Sequence, residues 1–381
     1  MRARANIVMG LTLSVLAAPT LAANITKADW GVTAAGEKVE LFTLKGAGGI
    51  TAQISTYGAV IVELLVPDRN GQIADVTLGY DDLASYEKDG VYGAVIGRYV
   101  NRIGNHGSFP LEGKTIHLPL TSPDQKIVIH GGNAGFQKRV WRAAMHDGPE
   151  PSVSLTLSSA DGDGGFPGAL TATVTYTVTR DNALKMDIRA VTDQPTVANL
   201  TNHAYFNLGG DGSGAVLNER MQIFADQYTP ADSDGLPTGQ IAPVAGTPLD
   251  FRKPVRLGDI LDSSFVQIAQ RKGLDINMIV NGPAGTLRPA VRITDPVSGR
   301  VMEVLTTQPG VQVYSDNITD TVLGRGGKHY GNRQAMCFET QHYPDSPNRA
   351  NFPSTEITSS KPLHEVTVYK FSNETGATHA N

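Results

Sequence analysis

Leu170-Thr171-Ala172-Thr173-Val174-Thr175-Tyr176-Thr177-Val178-Thr179 alternates an apolar residue with threonine at every step. Successive side chains of a β-strand point to opposite faces, so this stretch has one face to bury and one β-branched polar face that water can touch. Its two neighbours repeat the pattern. Val153, Leu155 and Leu157 alternate with Ser154, Thr156 and Ser158, and Leu184, Met186 and Ile188 alternate with Lys185, Asp187 and Arg189. Asp181-Asn182 supplies a turn between the last two. Three consecutive strands, each apolar on one face, describe an antiparallel sheet packed on one side.

Working outward, residues 40–44 and 51–57 also alternate. Residues 58–66 are mostly apolar and stop at the turn Pro67-Asp68-Arg69-Asn70-Gly71. Residues 83–87 have the composition of one helical turn. Residues 291–294 and 301–307 flank Asp295-Pro296-Val297-Ser298-Gly299, which reads as a hairpin turn, and residues 365–372 close the chain as a strand. No segment holds a 3.6-residue period. The expectation is an all-β fold, a large antiparallel β-sandwich with little helix, formed as a single domain over residues 24–381.

The first 23 residues have a different character. Arg2 and Arg4 give a positive start, residues 7–16 are mostly apolar, and Thr20-Leu21-Ala22-Ala23 offers small residues for cleavage. This is the pattern of a signal peptide, too short in its apolar part for a membrane span. The mature chain is expected to begin near Ala23 or Asn24 and to be exported to the periplasm, with no membrane attachment after leader removal. The single cysteine, Cys337, then leaves the exported protein without an internal disulfide. Met336 and Phe338 flank it, so it is expected to be buried as a small hydrophobe. The net charge of −5 and the lack of any basic run interleaved with aromatics argue against a nucleic-acid partner.

Several segments carry chemistry. Asn199-Leu200-Thr201-Asn202-His203-Ala204-Tyr205-Phe206-Asn207-Leu208 sets one histidine among amides, rings and apolar residues. A buried polar group must be paired, so His203 is either a satisfied core histidine or a working acid or base. Gly97-Arg98-Tyr99-Val100-Asn101-Arg102-Ile103 places two guanidiniums and an amide beside apolar residues. His130-Gly131-Gly132 offers an imidazole where glycines allow a ligand to approach the backbone. Residues 307–314 include Gln308 and Gln312, and residues 337–341 carry Glu339. Singly, each has a plain structural explanation. Together, an amide, a guanidinium, two imidazoles and a carboxylate suit a hydroxyl-rich neutral ligand, because each hydroxyl both donates and accepts. The available chemistry is proton transfer.

Other patterns fall away. Asp161-Gly162-Asp163-Gly164-Gly165 starts like a calcium loop, but Ala172 stands where the bidentate acid belongs, so a strand connection is expected. The histidines lack metal-ligand spacing and no glycine-rich loop opens a helix, so neither a metal nor a nucleotide cofactor is expected.

These segments, in this order, resemble the aldose 1-epimerases, also called galactose mutarotases. The resemblance runs over about residues 31–372. It rests on the segments around Arg102, His130 and His203, on Pro248-Leu249-Asp250-Phe251-Arg252 and on Gly273-Leu274-Asp275. It rests further on Gln308-Pro309-Gly310-Val311-Gln312 and Glu339-Thr340-Gln341. It implies a β-supersandwich with a sugar cleft across one sheet, and interconversion of the α and β anomers of free aldoses such as galactose and glucose, without a cofactor. It implies that Glu339 is the base at the C1 hydroxyl and His203 the acid at the ring oxygen. Asn101, Arg102, His130, Asp275 and Gln312 are implied as sugar contacts, with His130 placed to assist at the ring oxygen. The free monosaccharide is the implied partner, to a monomer or homodimer. One departure is Ile276, where the family usually has histidine after the aspartate, and this bears on sugar preference. The leader is a second departure and points to conditioning of sugars before uptake. A sugar-binding module without turnover, and a relative acting on a phosphorylated hexose, are the alternatives.

Overall fold

A computed structural model describes residues 24–374 except positions 121 and 123; the leader expected over residues 1–23 lies outside the described residues. The chain is built on antiparallel sheets. The largest has nine strands, in the order Arg142–His146, Ser152–Ser159, Leu170–Val178, Ala183–Thr192, Leu363–Asn373, Arg300–Thr306, Arg288–Thr294, Arg220–Ile223, Val255–Arg256. Its centre follows the alternation read from the sequence. Leu170, Ala172, Val174, Tyr176 and Val178 are all buried, while the intervening threonines are partly exposed. Opposed hydroxyls bond across the exposed face, Ser154 to Thr175 at 2.9 Å and Thr156 to Thr173 at 3.2 Å. Cross-strand pairs of this kind add roughly 0.2–1 kcal/mol each. Burial of each large aliphatic side chain on the other face contributes about 1.5–3 kcal/mol, so the buried row dominates.

A second sheet has six strands, in the order Tyr205–Phe206, Met336–Gln341, Gly310–Tyr314, Asp275–Ile279, Gln227–Thr229, Ala242–Pro243. Its two faces differ. Phe206, Met336, Phe338, Val311, Val313, Ile276 and Met278 point into the main apolar core with the inner face of the nine-stranded sheet. A five-stranded amino-terminal sheet, Asn24–Val32 to Ile73–Asp75, adds Phe42, Leu44, Ile54 and Leu64 to the same core.

Helix is scarce. Leu83–Lys88 is capped by Asp82, whose carboxylate accepts from the Ser85 N–H at 2.8 Å. Val266–Ala269 is a single turn. The strand expected over residues 51–57 stops at Ser55, and the next begins at Ile61. Between them Gly58 turns with φ +62°, and a Cβ there would lie 2.7 Å from the carbonyl oxygen of Gln137, so the chain bends where a neighbouring segment crosses it. The turn at residues 67–71 is followed by Ile73–Asp75, a strand too short to show a period in the sequence. The Asp161–Gly165 segment is the expected strand connection. Asp161 accepts from the Gly168 N–H, and Asp163 accepts from Arg139 and Ser159.

Candidate active site

The polar face of the six-stranded sheet is set by register. Glu339 lies opposite Gln312, which lies opposite Asn277. One row away, Tyr205 faces Cys337, Cys337 faces Tyr314, and Tyr314 faces Asp275. All these residues alternate with the apolar ones on their own strands, so the strands that build the core also deliver a buried polar row. Met336–Gln341 is buried at every position, one face apolar and the other carrying Cys337, Glu339 and Gln341. Cys337 is fully buried and burial pushes its thiol well up, as expected for a hydrophobe rather than a nucleophile.

His203 comes from the irregular link between Thr201–Asn202 and Tyr205–Phe206. Its N–H donates to the Ala94 carbonyl at 2.9 Å, and its carbonyl accepts from the Gly93 N–H at 3.0 Å. Asn202 fixes the approach, donating to the Gly93 carbonyl at 2.6 Å. The imidazole stacks on Tyr205 at 5.0 Å between ring centroids and meets His130 edge-on at 5.4 Å. Its Nε2 lies 3.7 Å from Oε1 of Glu339, and the two side chains are 7% and 3% exposed.

The opposite wall comes from a short two-stranded antiparallel ladder, Arg102–Ile103 with Val128–Ile129. Arg102 pairs with Ile129 in the ladder, which brings His130 beside Asn101. The Asn101 N–H donates to Nδ1 of His130 at 3.2 Å, so the neutral ring carries its hydrogen on Nε2. Asn101 and His130 both hold positive φ, +61° and +52°, a conformation that costs energy in non-glycine residues and clusters at functional sites. The sequence reading of Gly131 needs correction. It has φ +75°, and a Cβ there would lie 2.2 Å from the carbonyl oxygen of Gly97, so the glycine admits a neighbouring segment of this chain rather than a ligand.

Asp275 is the hub of the site's polar side chains. Its Oδ2 accepts from Arg102 at 3.0 Å and from Nε and Nη2 of Arg271 at 3.1 and 2.7 Å, and its Oδ1 accepts from Gln312 at 2.6 Å. Burial would raise its pKa, but the two guanidiniums and the Gln312 amide outweigh burial and hold it below the ordinary carboxylate value. Glu339 goes the other way. Burial pushes it up to about 8, Asp275 adds to the rise, and Arg102 opposes it. Burial pulls His203 down to about 4, and burial together with His203 and Arg102 keeps His130 well below its ordinary value.

A cleft of about 230 Å³ gathers Asn101, Arg102, His130, His203, Asp275 and Glu339. Gln312 stands behind Asp275 and orients it. Arg98 is elsewhere, a structural tie whose guanidinium donates to the carbonyls of Pro167, Gly168, Ser159 and Ala160. Ile276 does not face the cleft: it pairs with Val313 in the ladder and is 2% exposed in the apolar core. It is therefore no direct sugar contact, and the departure at this position acts on packing. Tyr205, Tyr314 and Arg271 also line the cleft. Tyr205 lies inside the quoted histidine stretch, whereas nothing in the sequence distinguishes Arg271. A larger cavity, about 420 Å³, lies by Glu219, Asp295 and Arg300, but Asp295 and Arg300 there are bonded to neighbouring backbone. The smaller cleft is where acid, base and unpartnered polar atoms coincide: Oε2 of Glu339 and Nδ1 of His203 are buried without a hydrogen-bond partner among the described residues.

Replacing Asp275 with asparagine removes the charge that two guanidiniums face. Asp275→Asn is expected to raise KM for the cleft's ligand on the order of 10–100-fold, equivalent to about 1–3 kcal/mol, with kcat falling less. Initial rates over a range of ligand concentrations separate the two.

A β-sandwich that holds a carboxyl and an imidazole together in a water-poor, hydroxyl-matching cleft defines a sugar-directed acid–base enzyme. The family model for aldose 1-epimerase matches residues 40–370. The chain belongs to the aldose 1-epimerase family. It is 38% identical over 352 residues to galactose mutarotase from Rattus norvegicus, covering 92% of this chain and 99% of that one. It is 34% identical over 343 residues to aldose 1-epimerase from Escherichia coli K12, covering 88% and 96%. Among solved structures, galactose 1-epimerase from Lactobacillus acidophilus NCFM superposes with a TM-score of 0.81 at 28% identity, covering 92% of this chain and 99% of that one. An aldose epimerase homologue from C. elegans superposes with a TM-score of 0.77 at 31% identity, covering 85% and 96%.

Proposed function

We propose that this chain interconverts the α and β anomers of free galactose and glucose, with Glu339 and His203 exchanging protons with the sugar. The observation that carries this reading is the 3.7 Å approach of the two groups inside a cleft sized for one sugar ring. Timing the optical rotation of a freshly dissolved pure anomer tests it.

Once the pair's one proton has passed from Glu339 to His203 in the occupied site, the Glu339 carboxylate takes the proton of the C1 hydroxyl. The C1–O1 bond becomes a carbonyl as the bond from C1 to the ring oxygen breaks. That electron pair stays on the ring oxygen, which takes a proton from His203. The open-chain aldehyde turns about C1–C2. On reclosure His203 removes the proton from the chain hydroxyl, its oxygen attacks the other face of C1, and Glu339 returns a proton to the former carbonyl oxygen. Each group ends as it began. Neutral His130 donates from Nε2 and contributes no charge. Arg102, with its partners Asn101 and Asp275, holds the remaining hydroxyls, and Gln312 steadies Asp275.

The alternatives have less support. A binding module needs no apposed acid and base. A phosphate dianion calls for several cations converging on it, and of the cleft's two guanidiniums Arg102 is neutralised by Asp275, which leaves Arg271 alone.

Only the state with one proton on the Glu339–His203 pair can work in both directions. In the empty site burial favours the neutral arrangement, with that proton on Glu339. Below about pH 4 His203 gains a second proton for the pair and no base is left; above about pH 8 Glu339 loses the only one and no acid is left. The pH–rate profile is therefore expected to be bell-shaped, flat between these limits. This places the acid limb on His203 and the alkaline limb on Glu339, the reverse of what each group's ordinary pKa suggests.

The reading also takes the chain as an exported protein, its leader lost near Ala23 or Asn24 and residues 24–381 forming one domain. The leader's positive start and apolar run support export, and the shared core that includes both Ile25 and Phe371 supports one domain. Mass analysis of the secreted protein should find a new amino terminus near residue 23. Intact chain confined to the cytosol would overturn this.

A further inference from the structure

We infer that Arg271 is a substrate-binding residue of the cleft, donating a guanidinium N–H to one sugar hydroxyl remote from C1 and so helping to set which aldoses are accepted. This rests on the mutarotase reading and adds a contact that lies outside the matched motifs.

The position of Arg271 is built. The residue follows the Val266–Ala269 turn, its N–H donating to the Ile268 carbonyl at 3.2 Å. Lys272 and Gly273 then take positive φ, +57° and +153°, which redirects the chain into the Asp275–Ile279 strand. A Cβ on Gly273 would lie 2.0 Å from Oδ1 of Asn317, so the bend cannot relax by substitution there. The same turn anchors the facing loop through Gln267 and Gln270, which both donate to the Ala231 carbonyl at 3.0 Å. That loop presses Gly235 onto the guanidinium of Arg102, where a Cβ would sit 2.8 Å from Cζ. Arg271 thus stands between two fixed walls of the cleft.

Its bonding leaves capacity. Nε and Nη2 donate to Asp275, and Nη1 reaches the Ser233 carbonyl only at 3.5 Å. These contacts engage three of the five N–H groups. The side chain is 25% exposed and lines the cleft, whereas its partner Asp275 is 9% exposed. Asp275 does not need a second cation for neutrality, because Arg102 already pairs with it and Gln312 already donates to it. A surplus guanidinium in a water-poor cleft carries a desolvation cost that a hydroxyl oxygen of the substrate would offset. Three donors converge on Oδ2 of Asp275 and one on Oδ1, so on the Asp275 side only Oδ1 can still accept from sugar. The free donor beside it is the Arg271 guanidinium.

The test uses the full-length mature protein, galactose, and its 2-, 3-, 4- and 6-deoxy analogues as probes in a mutarotation assay. Arg271→Gln is expected to raise KM for galactose on the order of 10–100-fold with kcat little changed. It should cause no further loss with the one deoxy sugar that lacks the contacted hydroxyl, since that contact is already missing. Arg271→Lys, which keeps the charge but not the fork, should fall between, and carries the same test if Arg271→Gln does not fold. An unchanged KM, or an equal rise for galactose and every deoxy analogue, overturns the inference by reducing Arg271 to a structural partner of Asp275. A parent protein with no turnover on any aldose would instead defeat the mutarotase reading itself.

Discussion

Glu339→Gln is expected to lower kcat on the order of 10²–10⁴-fold while galactose still binds, the usual worth of one general acid–base group. The amide keeps the shape of the side chain and its place opposite Gln312 in the ladder. It removes only the capacity to take a proton. Equilibrium binding of galactose, measured by calorimetry, should stay within a few-fold of the parent. The alkaline limb of the pH profile should vanish with it, because burial assigns that limb to Glu339. Retention of most of the turnover would move the base elsewhere. Asp275 is the other carboxylate in the cleft, and it is a poor candidate. Two guanidiniums and an amide hold its pKa low, and a carboxylate so stabilised has little affinity for a proton.

His203→Asn should cost a similar factor, because the ring oxygen then lacks its proton donor when the ring opens. Asparagine also gives up the stack on Tyr205, so a modest rise in KM accompanies the loss in kcat. The informative variant is the double one. In the proposed mechanism acid and base transfer protons in the same step, and the two side chains lie 3.7 Å apart. Removing both is therefore expected to be far less damaging than the product of the single losses. Multiplicative losses would mean that the two groups act in separate steps.

The contrast between the two main sheets explains what could be read from the chain. Residues 170–178 face core on one side and water on the other, so apolar and polar positions alternate cleanly and the observed register follows. The Met336–Gln341 strand is buried on both faces. Its alternation of Phe338 and Thr340 with Cys337, Glu339 and Gln341 reflects a core face and a functional face, and no periodicity distinguishes a buried working acid from a surface one. Tyr205–Phe206 is too short for any pattern, and it lies in the row that supports His203. Asn101, Arg102 and His130 were legible because several unusual residues stand together in short segments. Arg271 was not, because its meaning depends on Asp275 four residues later and on a loop almost forty residues earlier. Ile276 was legible as a departure but not as a core residue, since one step along a strand reverses the face.

The most direct measurement of the central claim is polarimetry of pure α-galactose and α-glucose, each dissolved at neutral pH and followed to anomeric equilibrium with and without the protein. The parent should shorten the approach to equilibrium in proportion to its concentration and leave the final rotation unchanged. The Glu339→Gln and His203→Asn variants should return the rate nearly to that of buffer alone. A parent protein that binds these sugars but leaves the rate of both at the spontaneous value would contradict the account.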